Sequence, residues 1–133
     1  MPQLQVLVLT DRAATPVNHT FTPRSIDKNG VATVVESSGI PIGDKRVTIG
    51  STRTASGKFK HTLKFVFPIV ATETINGVSN PVVVRVAYAD LVFTFEPTSS
   101  EQERKDAVGQ VESALGASKT LINDSLIKME GIY

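Results

Sequence analysis

The sequence has no cysteine and no tryptophan, and only two of its 133 residues are histidine. Without cysteine, neither a disulfide framework nor a zinc site with thiolate ligands can form. His19 and His61 lie far apart in the chain and lack the close spacing of paired histidine ligands. We therefore expect no metal site and no other cofactor.

Long apolar runs are missing as well. No stretch approaches the roughly 20 apolar residues that a transmembrane helix needs. The start of the chain has no basic segment followed by an apolar run, as a secretory signal would. We expect a protein without membrane association that is made and used in a cytoplasm. The length suits a single domain over residues 1–133, since a chain of this size buries roughly two-thirds of its unfolded surface.

Catalytic motifs are also lacking. The sequence contains no Gly-rich phosphate loop, no nucleophile elbow and no plausible Ser-His-Asp set. Acidic residues near the C-terminus fall on the polar face of a predicted helix, where they serve solubility and the helix dipole. We therefore predict that the protein is not an enzyme and has no catalytic residues.

Charge is nearly balanced overall, at +1, but it is unevenly distributed. Residues 46–64 contain basic residues and no acidic one, while the segment from Glu96 onward carries most of the acid. The basic residues of this region are Arg46, Arg53, Lys58, Lys60 and Lys64. This asymmetry indicates one basic face and a polyanionic partner. A sheet face that is merely solvated remains the alternative.

Two structural regimes follow each other along the chain. Strand-like segments with turn signals extend to Phe95, and helical periodicity follows, which favours an α+β fold with an antiparallel sheet. We expect a hairpin over 1–28, a main sheet over 29–95 and helices over 99–129. The predicted strands are Leu4–Leu9, Val17–Thr22, Val31–Glu36, Lys45–Thr54, Lys58–Val70 and Pro81–Phe95.

The first predicted helix has a clear start and stop. Ser99 or Ser100 can cap its N-terminus, with Gln102 or Glu103 completing a capping box, and Gly116 is a plausible end. A second, shorter helix is predicted over 118–129 and ends at a glycine, residue 131.

The predicted helices are small for the sheet that they have to cover. Two helices of this length cover a five-stranded sheet only marginally, and the long last strand would leave an apolar edge open. Both features favour a dimer in which strands pair across the two-fold axis and helices reach over the partner.

Alternation in the three long strands separates a polar from an apolar face, because side chains repeat every two residues in a strand. The polar set is Arg46, Thr48, Gly50, Thr52, Lys58, Lys60, Thr62, Lys64, Tyr88, Asp90 and Thr94. Lysine and arginine attract phosphates, threonine offers hydrogen bonds, and a tyrosine can stack on an unpaired base. We therefore interpret this face as a candidate RNA-binding surface, although a tyrosine on a sheet more often serves packing.

Six short segments occur in an order and spacing that point to one family. They are Asn29-Gly30-Val31-Ala32, Lys45-Arg46-Val47-Thr48-Ile49, Thr62-Leu63-Lys64, residues 72–78, Ala87-Tyr88-Ala89-Asp90 and Gly131-Ile132-Tyr133. Together they resemble the coat proteins of single-stranded RNA bacteriophages, the leviviruses. The opening residues look most like the Pseudomonas-phage member, and the Tyr88-Ala89-Asp90 strand looks like the Q-beta branch.

This resemblance implies an N-terminal hairpin, a five-stranded antiparallel sheet and two C-terminal helices, dimerising into a ten-stranded sheet. It implies a homodimer that assembles into a T=3 icosahedral capsid in the host cytoplasm and becomes part of the virion. The implied partners are other copies of the chain, the viral genomic RNA, an RNA operator hairpin and the viral maturation protein. The segment 70–81 resembles the loop that gathers around the symmetry axes in different conformations.

The resemblance also implies an RNA site through which the family represses translation of the replicase. Thr48, Thr62 and Lys64 match the adenine pocket. Val31 matches its apolar wall, and Tyr88 matches the stacking tyrosine.

Other positions of that site match less closely. Arg46 and Lys60 match positions that contact the RNA backbone, and Asp90 stands where some members have asparagine. Gly50 replaces the usual serine, and Thr52 stands where some members have arginine. Two alternatives stay open: a non-assembling RNA-binding regulatory protein of the same fold, and an unrelated β-rich interaction module.

Overall fold

The protein is described here by a computed structural model that covers residues 2–133. Its strands are β1 (Leu7–Thr10), β2 (Asn18–Ile26), β3 (Ala32–Glu36), β4 (Lys45–Arg53), β5 (Phe59–Ile75) and β6 (Val78–Phe95), and its helices are α1 (Glu101–Ala114) and α2 (Thr120–Ile127). A short 3-10 helix, Pro41–Gly43, precedes β4. The chain forms two compact units that meet in sequence between Thr94 and Phe95. None of the helices within residues 2–133 is long and apolar enough to cross a membrane.

The strands form one six-stranded sheet in the order of the sequence, from β1 to β6. The α+β class, with strands before helices, is therefore confirmed. The resemblance implied a hairpin beside a five-stranded sheet, but β2 also pairs with β3, so that the hairpin joins the main sheet. One strand fewer is present than the resemblance implied because β6 runs unbroken to Phe95, with no glycine or proline after Pro81 to interrupt it.

A two-residue turn joins β5 to β6. Asn76 and Gly77 both have left-handed backbones, with φ of 51° and 78°, as a tight hairpin turn between twisted strands requires. The strands therefore extend beyond the predicted ends at Val70 and Pro81 and take up most of the segment that was expected to be a loop. The Asn-Gly pair was correctly placed at the tip, but the ordered strands around it were missed.

The core of the sheet lies on one face. Val34 pairs with Val47, and Val47 pairs with Phe65, so that these three side chains point the same way. Phe21, Val34 and Val47 are almost fully buried, with Leu4, Leu7, Leu9, Phe65 and Phe67 packed against them. Each buried side chain of this kind contributes roughly 1.5–3 kcal/mol relative to exposure, which makes this cluster the main apolar anchor of the first unit.

The capping box predicted for the first helix is present. Ser100 caps α1, its Oγ accepting from the backbone N–H of Glu103 at 3.2 Å, while the Glu103 carboxylate accepts from the N–H of Ser100 at 3.4 Å. For the second helix, the predicted end at Gly131 was wrong. The helix ends at Ile127, because Met129 turns the chain into the left-handed region with a φ of 57°.

Candidate nucleic-acid interface

Register places the predicted polar residues of β4 and β5 next to each other. In this antiparallel ladder, residues directly opposite each other project to the same face. The aligned pairs are Thr48–Lys64, Gly50–Thr62 and Thr52–Lys60. Arg46 lies two residues before Thr48 and therefore points the same way. We call the surface formed by Arg46, Thr48, Thr52, Lys60, Thr62 and Lys64 the polar face.

An apolar edge borders this face on the β3 side. Thr33 pairs with Thr48, so alternate residues of β3 continue the polar face. Val31, which precedes β3 by one residue, is half-buried and lies beside Gly50. A Cβ atom at Gly50 would be 3.4 Å from Val31 Cγ2. The predicted apolar wall therefore lies next to the position that pairs with Thr62.

Tyr88 and Asp90 lie on β6, the strand beside β5. They are two residues apart and thus share one face of their strand. Both side chains are exposed, and the Tyr88 residue is 73% accessible. A tyrosine ring with this exposure contributes little packing and has an open surface for stacking.

The polar face combines half-buried hydroxyls with exposed cations. Thr48 and Thr62 are half-buried, whereas Arg46, Lys60 and Lys64 are exposed. Within residues 2–133, no carboxylate forms an ion pair with any of these three cations. Their charge is therefore available to phosphate groups, and the threonines between them can hydrogen-bond a base.

Arg53 does not belong to this surface, contrary to the basic face inferred from charge alone. It pairs with Phe59 at the end of the β4–β5 ladder, and its guanidinium carbon lies 4.9 Å from the centroid of the Phe59 ring. Since Arg53 is one residue from Thr52, it points to the opposite side. A cation–π contact on that side thus holds one of the five basic residues of the segment.

Sequence analysis missed a second polar cluster, centred on His19. The ring Nε2 lies 2.7 Å from Asp11 Oδ2, and Nδ1 lies 2.9 Å from Glu36 Oε2. Lys45 Nζ approaches the other Glu36 oxygen at 4.0 Å. These residues border a cavity of about 380 Å³ that Leu9, Phe21 and Phe67 line. No sequence spacing predicts the cluster, because strand pairing alone brings its members together.

Metal chemistry has no support in this cluster or elsewhere in the described chain. Across residues 2–133, no group of three or more histidine or carboxylate side chains has an arrangement that could hold a metal ion. The hydrogen bonds of the His19 cluster instead join the β1–β2 turn to β3.

Comparison with known proteins gives one consistent result. A family model described as levivirus coat protein matches residues 2–133. The capsid protein of Pseudomonas phage PRR1 is 47% identical over 131 residues, covering 98% of this chain and 99% of the relative. The capsid protein of Escherichia virus Qbeta is 28% identical, covering 97% of this chain and 87% of the relative. A solved capsid protein of bacteriophage GA superposes with a TM-score of 0.82 at 27% identity, covering 98% of both chains.

Proposed function

Because the chain belongs to the levivirus coat protein family, we propose that its copies pair as dimers and close a T=3 icosahedral shell around the phage genome. As a capsid protein, it is a structural component of the virion rather than an enzyme. We further propose that assembly takes place in the host cytoplasm, that residues 1–133 act as one coat domain, and that the shell also contacts the maturation protein.

Two features of the sheet support the dimer. β6 ends the strand order, so one long edge has backbone groups that no strand of the same chain pairs. Apolar side chains along this strand are exposed, among them Val83, Val84 and Val92. A second copy of β6 would satisfy the edge and remove these side chains from water, which gives one continuous sheet across two chains.

Exposed apolar residues at the C-terminal end support assembly as well. Leu121, Leu126, Ile127 and Met129 are each at least 60% accessible. Apolar clusters of this kind are typical of surfaces that another chain covers. The similarity to phage capsid proteins over nearly their whole length makes another coat subunit the expected partner.

We also propose that the polar face binds an RNA operator hairpin and thereby represses translation of the replicase. In this proposal Thr48, Thr62 and Lys64 surround an adenine. Val31 forms the apolar wall of that pocket, and Tyr88 stacks on a loop base. The alignment of Thr48 with Lys64, next to the Gly50–Thr62 pair, is the observation that carries the proposal, since it brings a cation and two hydroxyls to one small area.

The remaining residues of the proposed site have supporting roles. Arg46 and Lys60 would contact phosphates at the two ends of the same ladder, where both side chains are exposed. Asp90 has only acceptor oxygens, so it would favour a base that donates a hydrogen bond. The same cations would attract genomic RNA without regard to sequence, as packaging requires.

Lys64→Ala and Arg53→Ala form a matched pair that tests the face, because both remove one cation from the same two-strand ladder on opposite sides. Filter binding of the operator hairpin should show weaker binding for Lys64→Ala and a salt dependence reduced by about 0.7–0.9 per lost phosphate contact. Arg53→Ala should bind like the parent chain. Equal losses in both variants, or no loss in either, would refute the RNA-binding face.

Assembly has its own test, which does not depend on the RNA site. Size-exclusion chromatography and negative-stain microscopy of the expressed chain should show megadalton icosahedral particles, for the parent chain and for Lys64→Ala alike. Dimers that bind RNA but form no particles would instead support the non-assembling regulator. Inert small species would contradict both.

A further inference from the structure

We propose that Asn76, at the tip of the β5–β6 hairpin, is a site of spontaneous deamidation that gives the tip a carboxylate in place of an amide. The reaction is intramolecular. The backbone nitrogen of Gly77 loses its proton and attacks Cγ of Asn76; the bond from Cγ to the side-chain nitrogen breaks, and ammonia leaves. Water then opens the cyclic imide at either carbonyl, which gives aspartate or isoaspartate and one new negative charge.

The surroundings of Asn76 leave this reaction unhindered. Gly77 has no Cβ, and one built there would find no atom within 4 Å. Every residue from 71 to 80 is exposed, so that no core packing holds the tip. Hairpin ends that lack buried contacts open with little free energy, and opening allows the Asn76 side chain to reach the Gly77 nitrogen.

The chain contains a second Asn-Gly pair that is held differently. At Asn29-Gly30, the backbone N–H of Gly30 donates to Asp27 O at 3.0 Å, so the attacking nitrogen is already engaged. The Asp27 carboxylate also accepts from the N–H of Asn29 at 2.8 Å and of Val31 at 2.9 Å. A further bond from Asp27 N to Val31 O, at 2.9 Å, closes the turn. We therefore expect Asn29 to react much more slowly, although its dipeptide sequence is identical.

The remaining asparagines are poorer sites for covalent reasons. Asn80 precedes proline, whose nitrogen carries no proton and cannot attack as an anion. Asn18 and Asn123 precede His19 and Asp124, whose side chains crowd the nitrogen as a glycine does not. Asn76 is thus the asparagine that chemistry and structure both favour.

Isoaspartate would add a methylene to the backbone of a two-residue turn, and either product would add a charge. If the hairpin tips of several copies meet in the shell, a consequence that depends on the proposed assembly, like charges would accumulate where they meet. Deamidation would then weaken contacts between tips as particles age.

The experiment uses the intact chain and its own second Asn-Gly pair as the control. Particles or dimers are kept warm at mildly alkaline pH, sampled over time, and digested briefly with trypsin beside a zero-time sample. Residues 65–85 and 29–45 are released as separate peptides, because each follows a lysine and ends at a basic residue. Fragmentation mass spectrometry then locates the mass gain of amide-to-acid conversion at Asn76, Asn80 or Asn29.

We expect acid at Asn76 to accumulate several-fold faster than at Asn29 in the folded protein, and the two rates to converge in urea. Similar rates in the folded protein would overturn the proposal. So would an intact Asn76 after a time in which the urea-treated sample has converted. The variant Asn76→Asp supplies the product directly, and its particles should fall apart at lower salt-free temperature than those of the parent if tip charge weakens the shell; unchanged particles would overturn that consequence alone.

Discussion

Both ring nitrogens of His19 face carboxylates, and the shorter contact, 2.7 Å, is to Asp11 Oδ2. Hydrogen bonds to Asp11 and then to Glu36 raise the pKa of His19 above its ordinary value of 6.5. The pKa of Asp11 falls from 3.8 to about 2, mainly because its carboxylate accepts from the backbone N–H of Val17 and next because of His19. The pair ties the turn after β1 to β2, and Glu36 extends the tie to β3.

The contact predicts a pH window for stability. A raised histidine pKa stabilises the fold fully below 6.5, and this contribution is lost as the pH rises through the folded pKa. A lowered aspartate pKa stabilises the fold above 3.8, and this contribution is lost as the pH falls toward about 2. The difference in melting temperature between the parent chain and His19→Gln should therefore be largest between these limits. A difference that stays constant with pH would contradict the assignment.

Steric contact at Gly43 supports a second prediction. This buried glycine lies against β5, and a Cβ atom there would be only 2.7 Å from Val70 Cγ2. Overpacking of this kind typically costs about 1–3 kcal/mol, so Gly43→Ala should lower the urea midpoint of the dimer at matched protein concentration.

Gly109→Ala serves as the control for that measurement. Gly109 lies within α1, and a Cβ there would meet no atom within 4 Å. Replacing a helical glycine with alanine gains about 0.5–1 kcal/mol, so this variant should be at least as stable as the parent. If Gly43→Ala behaved like Gly109→Ala, the close packing of Gly43 against Val70 would be wrong.

Local signals in the sequence predicted much of this fold. The capping box of Ser100 and Glu103 and the Asn76-Gly77 turn each depend on residues close in sequence, and the structure contains both. Alternation along β4 and β5 also grouped Thr48, Thr62 and Lys64 correctly, because a period of two needs no knowledge of tertiary structure.

Features that depend on pairing between distant segments could not be predicted in the same way. The His19 cluster needs β1, β2 and β3 in register, and no spacing in the sequence encodes that register. Arg53 was grouped with the basic face by its charge, whereas its position beside Thr52 places it on the other side. Strand ends around Asn76 were set too early because exposed polar residues there resemble a loop, although the ladder continues through them.

Tyr88 provides a test of stacking. Its residue is 73% accessible, so Tyr88→Ala should leave the folded dimer and the particles intact. In the proposed site the lost stack should weaken hairpin binding by about 1–3 kcal/mol. Tyr133→Ala, which removes another fully exposed tyrosine from the second unit, should bind the hairpin normally. Normal binding by Tyr88→Ala would remove this residue from the site.

Gly50 allows the role of a single hydroxyl to be isolated. It pairs with Thr62, and the 3.4 Å from a Cβ to Val31 Cγ2 is an ordinary contact, so that both Gly50→Ser and Gly50→Ala should fold. Either change should raise stability, by about 0.5–1 kcal/mol for alanine, since glycine weakens a strand interior. The serine variant alone adds a hydrogen-bonding group beside Thr62. Hairpin binding should therefore differ between the serine and alanine variants when both are measured against the parent chain. Identical binding by the two would show that RNA does not reach this part of the polar face.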